Sequence, residues 1–223
     1  RQNPPVYRQG PHHLTLVSGA MLTSRYKSAF NRLVEPPARL MVRLGVSPSA
    51  VTLLGLLLVA ASCLFLLLTR NLLVFCGLAV AASLLDALDG AVARLGGRVT
   101  KFGSYLDAIC DRYGEACVVV SVAFVTGTWL LSTVVLVGAL MVSYTKARAA
   151  MEVPVANLEW PDLMERVERG VVYLAGLAAS QVVPWRPLGR DLFWWTLLLL
   201  SVLIHATVLQ RAWRARSFIR LRG

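Results

Sequence analysis

Long apolar stretches separated by short polar breaks make up most of the chain after residue 46. A helix needs about 20 mainly apolar residues to cross a hydrocarbon core about 30 Å thick. Apolar stretches of helical length occur six times, at 51–69, 72–85, 104–125, 129–149, 165–183 and 191–213. The pattern therefore predicts an all-α integral membrane protein with six transmembrane helices.

The division between the third and fourth stretches depends on length, because residues 116–145 contain no charge at all. A single helix over these residues would extend about 45 Å, well beyond the thickness of the hydrocarbon core. Gly127 stands between two threonines near the middle of this run and is typical of a turn. We therefore expect two helices that meet at Gly127.

The residues before the first apolar stretch are more polar and divide into two parts. Residues 1–20 contain three prolines and are expected to form a loose extension. Residues 21–46 mix basic and apolar side chains in an amphipathic pattern that Pro36 and Pro37 interrupt. Such a pattern predicts a helix lying in the membrane interface, with a plain surface helix as the alternative.

A helix start follows directly, because Ser47 is a good capping residue and Pro48 suits the first helical position. We expect the six-span domain to begin here and to cover residues 47–215. Several arginines follow the last apolar stretch, so residues 216–223 are expected to form a basic C-terminal tail.

Composition and charge then narrow the class of protein. The chain is 57% hydrophobic and 16% charged, with a formal net charge of +11. Basic loops or contact with anionic lipid explain this excess in a membrane protein, so we expect no nucleic-acid partner. In a six-span arrangement all but Arg70, Arg186 and Arg190 of the 23 Lys and Arg residues lie on the side of the termini. The prediction is a multi-pass protein of the cell membrane with both termini in the cytoplasm.

Four of the six aspartates fall within 26 residues, at the cytoplasmic ends of the second and third predicted spans. Asp86 and Asp89 are three residues apart and Asp107 and Asp111 four apart, so each pair shares one helix face. Converging carboxylates near a membrane need cations, and oxygen ligands without Cys or His select Mg²⁺ or Mn²⁺. Shared carboxylates suit two ions that together clamp a phosphoryl group.

A less specific interpretation is that these carboxylates simply pair with nearby basic residues at a solvated membrane edge. The basic residues available to them are Arg94, Arg98, Lys101 and Arg112. Charge alone does not separate this interpretation from a metal site.

The spacing of residues between Asp86 and Asp111 distinguishes a metal site from simple ion pairs. Between Asp86 and Asp111 eight positions follow a fixed order, namely Asp86, Asp89, Gly90, Ala93, Arg94, Gly103, Asp107 and Asp111. This order and spacing resemble the complete signature of the CDP-alcohol phosphotransferase family. The resemblance implies an enzyme of six spans that transfers a phosphate-linked group from a CDP-linked donor to an alcohol and releases CMP. It also implies a homodimer and an active site open to the cytoplasm.

The resemblance further assigns roles to the positions of the signature. Asp86, Asp89 and Asp107 would bind one divalent ion, and Asp86, Asp107 and Asp111 a second. Asp111 would also act as the general base on the acceptor hydroxyl. The CDP part of the donor would contact Gly90, Ala93, Arg94 and Gly103.

Further segments resemble the branch of the family that makes phosphatidylinositol phosphate from CDP-diacylglycerol and inositol phosphate. They are LGVSPSAVT at 44–52, SYTKARA at 143–149 and ERVER at 165–169. The resemblance implies donor contacts from Ser47, Pro48, Ser49, Ala50 and Thr100. It implies that Lys146, Arg169 and Arg211 bind the acceptor phosphate, and Arg148 belongs to the same group of cytoplasmic cations.

The chain departs from that branch at two places. Val167 stands where the branch has proline, and the four residues after Asp111 (Arg112 to Glu115) differ from the polar pair expected there. These departures leave the metal signature intact and keep glycerol 3-phosphate open as a rival acceptor. A cation pathway and a non-catalytic scaffold are the competing classes, although a pathway would require acids at mid-span.

Overall fold

A computed structural model describes residues 34–152 and 163–222 of the chain. Within each of these two ranges the secondary structure is helical, and short turns join consecutive helices. They are α1 (34–43), α2 (Pro48–Thr69), α3 (Leu72–Leu95), α4 (Lys101–Thr126), α5 (Trp129–Glu152), α6 (Arg166–Val182) and α7 (Leu192–Arg222). A short 3-10 turn, Pro187–Gly189, precedes α7. The all-helical prediction is confirmed for the described residues.

The helix boundaries follow local sequence signals. The Ser47 hydroxyl accepts a hydrogen bond from the Ala50 backbone N–H at 3.2 Å, which caps α2 as the sequence predicted. Arg70 ends α2 in the left-handed region, with φ of 55°, and Asn71 then caps α3. Gly127 ends α4 with φ of 73°, so the turn expected inside the uncharged run 116–145 is present.

Four of the described helices, α2, α3, α5 and α7, are long and apolar enough to cross a membrane by length and composition. The helix α4 has 26 residues, but it contains Asp107, Asp111, Arg112 and Glu115. The helix α6 has only 17 residues. The six-span count predicted from the sequence is therefore not established by these criteria.

The predicted interfacial helix, 21–46, lies partly outside the described residues, as does the whole extension 1–20. In its described part, α1 runs without a break through Pro36 and Pro37, so the expected interruption is wrong there. The proline ring fixes φ near the helical value, and a helix tolerates it where no backbone N–H is needed.

The helix α1 packs against the end of α3 that carries the aspartates. Val34 and Ala38, one helical turn apart, are buried against Ala91 and Val92 of α3. The next turns of α1 add partly buried apolar residues, while Leu40 on the other side is more than half exposed. This apolar contact fixes the end of α3 from the outside of the bundle.

The main core lies between α2, α3, α4, α5, α6 and α7. Its largest fully buried side chains include Leu66, Phe75, Leu177, Phe193, Leu197, Leu200 and Ile204. Tyr173 and Phe193 pack edge to face, with 5.3 Å between their ring centroids. Many other large apolar side chains face outwards, as expected of a surface that lipid covers.

The last helix is longer than the predicted span 191–213. It continues as far as Arg222 and includes the residues expected as a basic tail, up to that position. Its 31 residues correspond to about 46 Å, so one end of α7 extends beyond a hydrocarbon core of about 30 Å.

Close packing between α6 and α7 depends on Gly176. A Cβ at this position would lie 2.7 Å from the Thr196 Cβ of α7. We expect Gly176→Ala to lower the melting temperature of the detergent-solubilised protein, because overpacking costs about 1–3 kcal/mol. The measurement is a thermal unfolding curve for each variant.

Gly170→Ala on the same helix is the matched control, because a Cβ there meets nothing within 4 Å. Its melting temperature should stay the same or rise, since alanine favours a helix over glycine. Equal melting temperatures for the two variants would contradict the close α6–α7 contact.

Candidate active site

Three of the four signature aspartates come together in the structure. Asp86 and Asp89 project from α3, and Asp107 projects from the facing side of α4. Each offers a carboxylate oxygen, and these oxygens all lie within 4.8 Å of one another. The chain reverses direction between the two helices at Gly97, which has φ of 60°. The reversal thus brings Asp107 of α4 close to Asp86 and Asp89 of α3.

Asp89 is the most buried member of this cluster, with 7% of its surface exposed. The Thr52 hydroxyl of α2 donates a hydrogen bond to Asp89 Oδ2 at 2.6 Å. This bond ties α2 to the cluster and satisfies one lone pair of a carboxylate that water does not reach. Sequence reasoning did not identify Thr52 as a site residue, because nothing local indicates a partner 37 residues away.

Asp111 lies one helical turn beyond Asp107 and joins the cluster through a guanidinium. Arg166 Nη1 is 2.6 Å from Asp111 Oδ1 and 3.1 Å from Asp86 Oδ2. Asp111 is largely buried, with 12% of its side chain exposed, whereas Arg166 is 43% exposed. Arg166 lies in the segment 165–169 singled out in the sequence, but no local pattern pairs it with either aspartate.

The donor set fits a hard divalent cation. Three carboxylates within bonding reach of a single point would repel each other strongly, and partial burial weakens the screening by water. Among the described residues no Cys or His joins the group, so all its ligand atoms are oxygens. Such oxygen ligands suit Mg²⁺ or Mn²⁺.

The predicted donor-binding residues lie at the ends of α2, α3 and α4. Ser47 caps α2, with Pro48, Ser49 and Ala50 in its first turn, and Thr100 caps α4 by accepting from the Gly103 backbone N–H at 2.9 Å. Gly90, Ala93 and Arg94 occupy the last turns of α3.

Both signature glycines lie beside a polar side chain. A Cβ at Gly90 would stand 3.3 Å from the Arg94 guanidinium, and one at Gly103 would stand 3.0 Å from the Thr100 hydroxyl. The missing side chains keep the space beside these two groups open.

Two of the predicted acceptor-binding residues are buried arginines. Arg169 of α6 is 5% exposed and donates from Nη2 to Glu115 Oε1 of α4 at 3.2 Å. Arg211 of α7 is 6% exposed and donates to the backbone carbonyl of Val142 in α5. Buried guanidinium groups are rare unless they are paired, so both positions require a polar surrounding.

The other two predicted acceptor residues are on α5 and are less enclosed. Lys146 is half-buried, and Arg148 pairs with Glu152 on its own helix at 2.5 Å. Half of the Arg148 side chain is exposed. Arg148 is therefore much more exposed than Arg169 and Arg211.

A cavity of about 910 Å³ lies between α2, α3, α4 and α6. Its polar wall includes Asp86, Asp111, Glu115, Arg166 and Arg169. The remaining wall is mainly apolar, with side chains such as Val80, Leu84, Val171 and Leu174. Carboxylates, guanidiniums and an apolar surface thus line one cavity.

Comparison with known proteins gives the family. The model of the CDP-alcohol phosphatidyltransferase family matches residues 45–206 of the chain. Phosphatidylinositol phosphate synthase of Mycobacterium bovis is 32% identical over 209 residues, which cover 86% of this chain and 91% of that protein. Archaetidylinositol phosphate synthase of Pyrococcus horikoshii is 33% identical over 131 residues, covering 58% of this chain and 69% of that protein.

Solved structures agree with the sequence relatives. The crystal structure of Mycobacterium tuberculosis phosphatidylinositol phosphate synthase with CDP-DAG bound has a TM-score of 0.72 and 32% identity. It covers 82% of this chain and 94% of that chain. A crystal structure of the same synthase in complex with manganese and citrate has a TM-score of 0.71 and 31% identity. The match covers 82% of this chain and 88% of that chain.

The resemblance inferred from eight signature residues is therefore confirmed, and with it the enzyme class. The three carboxylates of the cluster offer the oxygen ligands that a divalent metal would need, and a solved structure of a related synthase contains manganese. The apolar helices and the relatives together indicate a membrane protein. The chain belongs to the CDP-alcohol phosphatidyltransferase family and is a metal-dependent transferase of phosphate-containing groups.

Proposed function

We propose that the chain transfers the phosphatidyl group of CDP-diacylglycerol to inositol phosphate and releases CMP. The observation that carries the proposal is the cavity wall on which Arg169 lies together with Asp86 and Asp111. A phosphorylated acceptor needs a fixed cation close to the reacting carboxylates. The related phosphatidylinositol phosphate synthases support this choice of acceptor, because two of them each align over 86% of this chain.

In this proposal the four aspartates are the ligands of two metal ions. Asp86, Asp89 and Asp107 would hold one divalent ion, and Asp86, Asp107 and Asp111 would hold a second. Mg²⁺ or Mn²⁺ bound there would supply positive charge for the diphosphate of the donor and for the departing CMP. Thr52 keeps Asp89 oriented through its 2.6 Å hydrogen bond.

The donor lies along the ends of α2, α3 and α4. The cytidine diphosphate contacts the α2 turn of Ser47, Pro48, Ser49 and Ala50, and on the other helices it contacts Gly90, Ala93, Arg94, Thr100 and Gly103. Arg94 supplies a fixed positive charge for a phosphate oxygen. The apolar part of the cavity wall suits an acyl chain, because it buries hydrocarbon without unsatisfied polar groups.

The reaction exchanges one phosphorus–oxygen bond for another. Asp111 accepts the proton of the acceptor hydroxyl, whose oxygen forms a bond to the lipid-bearing phosphorus. The bond between that phosphorus and the oxygen of CMP breaks, and CMP leaves as a phosphate anion. Arg166, 2.6 Å from Asp111 Oδ1, holds this carboxylate at the wall of the cavity.

The acceptor phosphate binds to basic residues of α5, α6 and α7. Arg169 and Arg211 are buried, so their charges are poorly screened and attract a phosphate strongly. Lys146 adds a half-buried ammonium group from α5. Arg148, which pairs with Glu152, contributes from a more exposed position.

We also propose six membrane spans, with both termini and the active site on the cytoplasmic side. The positions of the acids on α4 support the six-span arrangement. Asp111 and Glu115 line the cavity inside the bundle, so α4 can cross the membrane without exposing them to lipid. The 17 residues of α6 extend about 25 Å, which is short for a crossing but sufficient with flanking polar residues. A homodimer completes the proposal, by analogy with the family.

Purified protein with CDP-diacylglycerol and Mg²⁺ or Mn²⁺ should release CMP when inositol 1-phosphate is supplied. Glycerol 3-phosphate, free inositol and serine are supplied separately as competing acceptors. Removal of the metal with EDTA should abolish release, because the carboxylate cluster then lacks its cation.

The pattern of release separates the alternatives. Release with glycerol 3-phosphate alone would keep the phosphate-binding arginines and replace the acceptor. Release with a neutral alcohol alone would contradict the role proposed for Arg169. No release with any acceptor would contradict the proposed function.

Asp111→Asn should abolish CMP release, because an amide cannot accept the proton of the acceptor hydroxyl. Binding of CDP-diacylglycerol, measured by calorimetry in detergent, should be reduced by no more than about 10-fold, since three aspartates remain. Turnover within about twofold of wild type would exclude Asp111 as the base.

Arg169→Gln should raise the KM for inositol phosphate by about 10-fold or more, the effect of losing one charge-assisted hydrogen bond. The KM for CDP-diacylglycerol serves as the internal reference and should change little. Arg39→Gln is the matched control, because Arg39 is an exposed arginine that pairs with Glu35 on α1. An unchanged acceptor KM in Arg169→Gln would exclude Arg169 from the phosphate site.

A further inference from the structure

Glu115 is a partly buried carboxylate that stands between two guanidinium groups. Its Oε1 accepts from Arg169 Nη2 at 3.2 Å, and its Oε2 lies 3.4 Å from Arg112 Nη1. Its side chain is 19% exposed and lies on the wall of the cavity. Neither the metal cluster nor the proton transfer uses this carboxylate.

Arg169 depends on Glu115 for its charge balance. It is 5% exposed, and its other hydrogen bond in the structure is a long one, 3.5 Å from Nη1 to the Met164 carbonyl. Its Nε has no hydrogen-bond partner among the described residues, and a guanidinium has five N–H donors, so the two bonds leave further donors for a ligand. A buried guanidinium that loses its carboxylate partner is strongly destabilised.

Two other carboxylates of the cavity wall belong to the signature aspartates. Asp86 and Asp111 line the same cavity as Arg169, and Arg166 already binds both of them. An Arg169 without Glu115 would be drawn towards these carboxylates, because opposite charges attract strongly in a poorly screened site. Glu115 thus keeps Arg169 apart from the groups that bind metal.

Glu115 is also anchored from its other side. Arg112 lies beside it on α4 and donates a hydrogen bond to the Ser143 hydroxyl of α5. Arg112 Nη2 in addition lies 3.5 Å from Asp111 Oδ2. The alternating charges of Asp111, Arg112, Glu115 and Arg169 therefore connect α4, α5 and α6 through one chain of contacts.

We propose that Glu115 is a positioning residue that orients Arg169 towards the phosphate of the acceptor and so sets the affinity for a phosphorylated acceptor. The inference rests on the proposed function, because it takes Arg169 as a phosphate ligand. It assigns a role to the segment 112–115, where the chain differs from the expected sequence of its branch.

The test compares Glu115→Leu and Glu115→Gln with wild type, using initial rates of CMP release. Glu115→Leu should raise the KM for inositol phosphate by about 10-fold, the scale of one charge-assisted contact. Glu115→Gln retains an oxygen that accepts from Arg169, so the rise should be about threefold, as for a neutral hydrogen bond. The KM for CDP-diacylglycerol should stay within about twofold in both variants.

A double-mutant cycle with Arg169→Gln decides whether Glu115 acts through Arg169. If it does, Glu115→Gln combined with Arg169→Gln should have the acceptor KM of Arg169→Gln alone. Glu35→Gln is the matched control, because Glu35 is an exposed glutamate paired with Arg39, and its acceptor KM should equal that of wild type.

Three results would overturn the inference. The first is additive effects on the acceptor KM in the double mutant, and the second is a lower acceptor KM in Glu115→Gln. The third is a Glu115 variant that loses thermal stability while its acceptor KM stays that of wild type. If Glu115→Leu does not fold, the glutamine variant and the cycle still provide the test. Wild-type protein that releases no CMP with any phosphorylated acceptor would instead contradict the proposed function.

Discussion

The repulsion between carboxylates gathered at one place is the constraint on which the site depends. Asp86, Asp89 and Asp107 present oxygens within 4.8 Å of one another, and burial of Asp89 removes much of the water that would screen them. Such an arrangement is stable only with cations and hydrogen-bond donors around it. Among the described residues the Thr52 hydroxyl and the Arg166 guanidinium donate to this group, and a divalent metal would supply further positive charge.

The helices around the cluster are arranged to hold these groups in place. The turn at Gly97 lets α3 and α4 run antiparallel, so that two pairs of carboxylates on separate helices face one another. The helix α1 packs through Val34 and Ala38 on the end of α3, and Thr52 connects α2 to the same point. Three helices therefore fix α3 where it carries Asp89, which limits how far the metal ligands can move.

A buried charge also needs an opposite charge beside Arg169, on another part of the cavity wall. Arg169 is a buried cation that requires an anion, and Glu115 provides it at 3.2 Å. The segment 112–115 differs from the sequence expected for the branch, yet in the structure two of its residues bind partners on neighbouring helices. The part of the sequence that differs from the branch thus supplies the partner of Arg169. For this reason the proposed affinity for a phosphorylated acceptor depends on Glu115 as well as on the arginines.

The sequence by itself determined the features that depend on neighbouring residues. The helix boundaries at Ser47, Arg70 and Gly127, the spacing of the four aspartates and the family all followed from local patterns, because capping and helical periodicity act over a few residues. Only the tertiary structure decided which distant groups meet. Thr52 lies 37 residues from Asp89, Arg166 lies 80 from Asp86 and Arg169 lies 54 from Glu115, and no local rule pairs them. The direction in which Asp111 and Glu115 of α4 face, into the cavity, likewise depends on packing between helices, which single-sequence patterns do not contain.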